Sequence, residues 1–382
     1  MKQARHCRIP EGPHDLLRLW SEATPLAGRP LPDWLAAEDA ADYRLLGSVS
    51  LAGLSDEERG QAEDEFGELE LARLVVDDDP SDGQLRHVYI SRPRPEPAWS
   101  IGIHEGDAPW SLSDRLHQNP VLTAASVTDV PATSVADPFL LCRDGRWFMF
   151  FEVVNWRTWK GEIGLATSND GLAWRYEQIV LAEPFHLSYP YVFEADDGIY
   201  MIPETSQAEA VRLYQAKSFP TEWEYVGDLL QGLPFADASV VRHQGRWWLF
   251  AETSGDRNDT LRLYHADALA GPWQEHPQSP VIQGDAENAR PAGRIVAAGG
   301  RLLRFAQNCR PAYGTDVRVR EIVRLTATEF AEQALGAGPI LGPARAGWNA
   351  GGMHHVDPLQ IPDGRWLAAV DGWRMDDEAD AS

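Results

Sequence analysis

Five copies of one phrase, spaced about 50 residues apart, restrict what this chain can fold into. The copies are Asp144-Gly145-Arg146-Trp147-Phe148-Met149-Phe150-Phe151-Glu152, Asp197-Gly198-Ile199-Tyr200-Met201-Ile202-Pro203-Glu204, Gln244-Gly245-Arg246-Trp247-Trp248-Leu249-Phe250-Ala251-Glu252, Gly299-Gly300-Arg301-Leu302-Leu303-Arg304-Phe305-Ala306-Gln307 and Asp363-Gly364-Arg365-Trp366-Leu367-Ala368-Ala369-Val370-Asp371. In each, a glycine turn leads into an apolar, aromatic strand that ends on a carboxylate or an amide. Small sheets repeated at that period predict a β-propeller, not a doubly wound sheet.

Each copy is flanked by further strand-like segments. First strands are expected to open at 135–139, 188–192, 236–240, 289–293 and 355–359, and third strands at 162–166, 211–216, 261–266 and 317–320. The fifth copy stops after its second strand. Its third has a candidate upstream, because Trp99-Ser100-Ile101-Gly102-Ile103-His104 matches Gly161-Glu162-Ile163-Gly164-Leu165-Ala166. If that segment completes the last blade, the ring closes with five blades and no open sheet edge. The expected fold is therefore all-β: a five-bladed β-propeller over 98–373, behind a small α+β appendage at 1–95. In the appendage, helices are expected at 15–23 and from the capping box Ser55-Asp56-Glu57-Glu58, and strands at 69–76 and 85–90. Alternating prolines make 91–97 a linker. The acidic end, 374–382, is expected to be disordered.

Composition excludes several functions. Lysine and arginine number 34 against 58 aspartates and glutamates, a formal charge of −24. Such a body repels nucleic acid and anionic lipid. No run of 18 apolar residues is present to enter a membrane. The three cysteines, Cys7, Cys142 and Cys309, form no CxxC pair and no zinc spacing. Met1-Lys2-Gln3-Ala4-Arg5-His6 leads into no apolar signal core, which reads as cytoplasmic. Without a P-loop, GxGxxG or nucleophile elbow, no cofactor is expected. Tryptophan is abundant, at 15 residues. Most suit pleated blade strands, and a few exposed ones would suit stacking on sugar faces.

In a blade the innermost strand starts where the second strand ends. That geometry pairs Asp137 with Glu152, Tyr189 with Glu204, Asp237 with Glu252, Arg290 with Gln307 and Asp357 with Asp371, a polar ring at one mouth of the channel. Glu152 and Glu252 divide evenly between a turn-capping role and a functional one. Asp137 and Asp237 favour function, since ligands bind at concave mouths and clustered acids split their pKa values. Arg290 is either a counter-ion or an anion-binding fork. His355 and Asp357 share a strand face and permit a metal, but no third ligand has recognisable spacing, so a hydrogen-bonded histidine and no metal site is the expectation. His186 can join His355 at the mouth.

The Ala136-Asp137-Pro138 opening and the five short blades resemble the five-bladed propellers of glycoside hydrolase family 43. The phrases Lys160-Gly161-Glu162-Ile163-Gly164, His186-Leu187-Ser188-Tyr189-Pro190-Tyr191, Ala289-Arg290-Pro291-Ala292-Gly293 and Gly352-Met353-His354-His355-Val356-Asp357 more closely resemble the propeller-like N-terminal domain of plant glucosamine inositolphosphorylceramide transferases and its bacterial stand-alone relatives, over about residues 98–373. The hydrolase resemblance implies Asp137 as base and Asp237 as the acid that tunes its partner. The proton-donating glutamate has no matching position, and Glu204 or Glu252 would supply it from a second strand. Tyr189, Arg290, His186, His355, Asp357 and Glu152 would hold the sugar. The resulting expectation is a glycosidase or transglycosidase acting on a glycan or glycolipid. The alternative is a non-catalytic glycan-binding module, or accessory, partnering a glycosyltransferase in polysaccharide or glycolipid synthesis.

Overall fold

The computed structural model describes residues 97–114, 118–155, 157–158, 160–195 and 197–375, with the backbone of four strands nearer the start. The chain divides into two compact units, Met1–Glu96 with Asp376–Ser382, and Pro97–Met375. In the first, strands Thr24–Pro25, Tyr43–Ser50, Leu74–Asp79 and Asp82–Ser91 make an antiparallel sheet. The strands expected at 69–76 and 85–90 answer to the last two of these, paired with Val76 opposite Val88. Tyr43–Ser50 was not anticipated. The helices expected at 15–23 and from Ser55, the linker residues 92–96 and the tail 376–382 lie outside the described residues.

The second unit is a five-bladed propeller. From the inside outward, blade 1 is Ala132–Arg143, Arg146–Asn155, Lys160–Ser168 and Arg175–Leu181. Blade 2 is Ser188–Ala195, Gly198–Glu204, Ala210–Ser218 and Glu222–Gln231. Blade 3 is Ala236–His243, Arg246–Glu252, Thr260–Ala266 and Gln274–Glu275, with Ile282–Gln283 also on its third strand. Blade 4 is Val296–Ala298, Arg301–Asn308, Asp316–Leu325 and Phe330–Ala334. Blade 5 is Val356–Gln360, Trp366–Met375, Pro97–Ala108 and Ser111–Ser113. The upstream segment closes the ring as expected, with Trp373 opposite Trp99 and Val370 opposite Gly102.

The repeated turn has a local cause. Asp144 and Gly145 have φ of 51° and 76°, Gln244 and Gly245 50° and 81°, and Gly299 and Gly300 56° and 76°. Two successive left-handed residues make the tight hairpin turn whose twist matches the strands it joins. Outer edges repeat too. The indole N–H groups of Trp174, Trp223 and Trp273 donate, each at 3.0 Å, to the carbonyls of Gly171, Pro220 and Leu269. These tryptophans lock turns.

The core lies between neighbouring blades, where Phe139, Phe150, Tyr191, Met201 and Leu249 are buried in one cluster. The channel axis is filled by polar ties. Arg294 donates to Asp357 Oδ1 at 2.8 Å, to Val192 O at 2.9 Å and to Leu140 O at 3.2 Å, joining the approach to blade 4 with blades 5, 2 and 1. Gly293 pairs with Val356 so closely that a Cβ would sit 1.8 Å from Val356 O.

Candidate functional site

Three inner strands break their register at the same place. In blades 1, 2 and 3 the pairing jumps between Ala136 and Phe139, Ser188 and Tyr191, and Ala236 and Ser239. Each jump contains a left-handed non-glycine residue: Asp137 at φ 52°, Tyr189 at 45° and Asp237 at 51°. Such backbones cost about 1–3 kcal/mol each and persist where the structure requires them. A bulge re-aims a side chain, and here it turns the two aspartates toward one mouth.

Asp237 is the hub of the first cluster. Its Oδ2 accepts from Arg290 Nε at 2.6 Å and from Gln307 Nε2 at 2.7 Å. Arg290 also donates to Asn258 Oδ1 at 2.7 Å and to Glu204 Oε2 at 3.4 Å. Burial pushes the Asp237 carboxyl up to about 7 despite Arg290. Arg290 is therefore a counter-ion shared by blades 2 and 3, its fork already spent on Asp237, Glu204 and the Asn258 amide. Glu204, Ser206, Asp256, Asn258, Arg290 and Tyr313 line an adjoining cleft of about 420 Å³. Tyr313 stands at its lip, 41% exposed, with the Arg290 guanidinium 5.1 Å from its ring centre.

The second cluster joins blades 5 and 1. Asp371 Oδ1 accepts from His354 N, His354 Nδ1 and His355 N at 3.2, 2.8 and 3.0 Å, and Oδ2 accepts from Asp137 N at 2.9 Å. His354 stacks on Trp99, ring centres 4.0 Å apart. Burial alone would lower its pKa, but the charges of Asp371 and Asp137 raise it to about 9. Asp137 Oδ2 accepts from Tyr189 N at 3.3 Å, whereas its buried Oδ1 has no hydrogen-bond partner. Burial raises its pKa well above the carboxylate range, with His354 opposing. Donor atoms of Asp137, His354 and Asp371 lie within 4.8 Å of one another. Asp371 Oδ1 already accepts three N–H groups, so of the trio it is the oxygen least free to take a cation.

Four residues proposed from the sequence sit differently. Tyr189 is fully buried. Its hydroxyl accepts from Gly293 N at 2.6 Å and meets Gly293 O and Ser239 Oγ at 3.0 and 2.8 Å, because the bulge throws the ring across the channel as a plug. Asp357 lies opposite Ala369, not Asp371, and is spent on Arg294 and Leu140 N. Blade 5 lacks the bulge, so counting from the other blades misplaces it. His355 is fully buried, its Nε2 on Pro138 O at 3.0 Å, and burial lowers its pKa to about 3. Glu252 is also fully buried, with Oε1 accepting from Ser254 N at 2.6 Å, from the Ser254 hydroxyl and from Thr260 N at 3.3 Å. Glu152 and His186 meet each other, Oε1 to Nε2 at 3.2 Å, where blades 1 and 2 adjoin. His186 Nδ1 accepts from Gly161 N at 2.9 Å. Glu204 and Arg290 line the cleft, with Asp237 buried behind them on Arg290 and Asp137 buried beside His354. Sequence reasoning passed over His354, Tyr313, Asn258 and Arg294. Only His354 carried a signal, as the neighbour of a chosen residue on an alternating strand.

Comparisons with known proteins agree with this architecture. Residues 91–373 match the family model described as glucosamine inositolphosphorylceramide transferase 1, N-terminal. The transferase of that name from Oryza sativa subsp. japonica is 36% identical over 305 residues, which cover 74% of this chain and 41% of that protein. The Arabidopsis thaliana counterpart is 33% identical over 325 residues, 78% of this chain and 42% of its own length. The chain thus spans about two fifths of the curated relatives it matches. Among solved structures, a putative glycoside hydrolase from Parabacteroides distasonis superposes with TM-score 0.52 at 12% identity, covering 69% of this chain and 98% of that one. A β-1,2-mannobiose phosphorylase from Listeria innocua gives 0.51 at 13%, covering 70% and 96%. At such identities the likeness concerns the fold.

Proposed function

The chain belongs to the family of the glucosamine inositolphosphorylceramide transferase 1 N-terminal domain, and from that premise we propose that its propeller recognises a sugar-bearing head group and serves a glycosyltransferase step in glycolipid or polysaccharide synthesis. The carrying observation is the cleft beside Arg290. It offers an aromatic face at Tyr313 and polar groups at Asn258, Ser206 and Glu204, the mixture by which sugars are held. The carboxylates best placed for hydrolysis are meanwhile engaged internally: Asp237 by Arg290 and Gln307, and Glu252 by Ser254 and Thr260.

Saturation-transfer NMR with glucosamine, myo-inositol 1-phosphate and a panel of methyl glycosides tests this reading. Binding that Tyr313→Ala removes supports it. Absence of binding by the whole panel at millimolar concentration rejects it.

A second reading has one observation of its own. Asp137 combines a strained backbone with a buried carboxyl oxygen that accepts no hydrogen bond, as a group reserved for chemistry would. A glycosidase or transglycosidase using Asp137 would release product from a glycoside panel and stop doing so as Asp137→Asn.

A further inference from the structure

Beside the glutamates that the sequence offered from second strands, the throat holds a buried histidine between two carboxylates. His354 Nδ1 lies 2.8 Å from Asp371 Oδ1. That oxygen only accepts, so Nδ1 carries a hydrogen. The other ring nitrogen, Nε2, is turned to Asp137 Oδ1 at 3.7 Å, beyond hydrogen-bond reach. The ring is held flat against Trp99, with the edge of Tyr313 at 5.2 Å. Tyr313 also lines the cleft.

We propose that His354 is an imidazolium oriented by Asp371, and that its Nε2–H is the proton donor this site turns toward an oxygen of a bound sugar. The inference rests on the sugar-binding reading above.

Every charged or titratable group around the ring bears on this state. Asp371 faces it from the second strand of blade 5, and Asp137 from the inner strand of blade 1. Asp237 adds negative potential from blade 3. His355 is the like-signed neighbour, but its Nε2 faces the carbonyl of Pro138 and must keep the hydrogen there. Its Nδ1 is therefore bare, and Asp137 Oδ1 lies 3.5 Å from it. Both atoms are buried without a partner. Asp371 and Asp137 together favour the His354 cation, and at 3.7 Å Asp137 Oδ1 does not take up its Nε2–H as a hydrogen bond. Among the described residues, Nε2–H is left without a hydrogen-bond acceptor within reach. Asp371 is the positioning residue.

The test is ¹⁵N NMR of the His354 ring in the full chain across pH 6–10, repeated with glucosamine and with methyl glycosides. Two protonated ring nitrogens at pH 7, with Nε2–H shifting on sugar addition, are expected. His354→Asn keeps a donor for Asp371 but removes the Nε2 position. It should weaken sugar binding about tenfold or more, as loss of a charged hydrogen bond does, with the urea midpoint at pH 7 confirming a folded variant. Asp371→Asn should bring the His354 titration down toward that of a free imidazole. A neutral ring at pH 7, or a copurifying divalent metal on Nε2, overturns the proposal while leaving the sugar-binding reading standing. So does sugar binding that leaves Nε2–H unmoved. An imidazolium in a protein that binds none of the sugars overturns both.

Discussion

The backbone N–H of Asp137 donates to Asp371 Oδ2 at 2.9 Å, so a side chain from the last propeller strand fixes the strained residue that opens the first blade. The same carboxylate holds His354 and the amide of His355. One buried group therefore ties blade 5 to blade 1 at the mouth.

Replacing Asp371 with asparagine sets an NH2 against amide donors and strips a buried ion pair of its anion. Removing one partner of such a pair costs about 3–5 kcal/mol. Urea unfolding should register a loss of that order with an unchanged m-value.

Tyr189→Phe keeps the plug but deletes its hydroxyl. Gly293 N then loses its acceptor in the interior, a penalty of about 1–3 kcal/mol. Thermal unfolding should show a lowered Tm, and amide exchange at Gly293 should accelerate.

Gly293 has φ 132°, and a Cβ there would meet the carbonyl of Val356. Gly293→Ala must push the approach to blade 4 away from blade 5, because backbone cannot yield as a flexible side chain does. The expected loss is about 2 kcal/mol or more, larger than that of Gly245→Ala, whose added methyl meets only open space. Chemical denaturation of the two variants makes the comparison.

Stability should depend on pH at both ends. Asp237 titrates at about 7 in the fold against an ordinary 3.8. The fold thus favours its protonated form, a contribution complete below pH 4 and lost as pH rises through 7. His354, at about 9 against 6.5, contributes fully below 6.5 and loses its share as pH rises through 9. His355, at about 3 against 6.5, is favoured neutral. Its contribution is complete above 6.5 and fades as pH falls toward 3. The urea midpoint should therefore fall between pH 7 and 9.5. His354→Asn should flatten that fall, and an unchanged slope would contradict the assignment.

The blades and their closing strand could be read from sequence because their causes are local. Asp144-Gly145 and Gln244-Gly245 encode a turn, and the apolar runs after them encode a strand. Pairing of 99–104 with the last strand followed from likeness to 161–166. The site was less legible, because a bulge changes which residue faces the mouth and leaves no mark in periodicity. Asp137 and Asp237 sit in bulges, which bury their carboxyls behind the cleft. Asp357 was misplaced, since its strand has none. Tyr189 read as a ligand-holder until its bulge carried the ring across the axis. Arg294 arrives on an irregular approach with no strand pattern, so its grip on three other blades was beyond sequence reasoning.

Pro97 and Met375 face each other in register on neighbouring strands of blade 5. The polypeptide thus enters and leaves the ring at a single doorway. A domain whose two ends meet in this way behaves as a cassette. It can be spliced between other segments of a longer protein, or carried alone, with little disturbance to the ring.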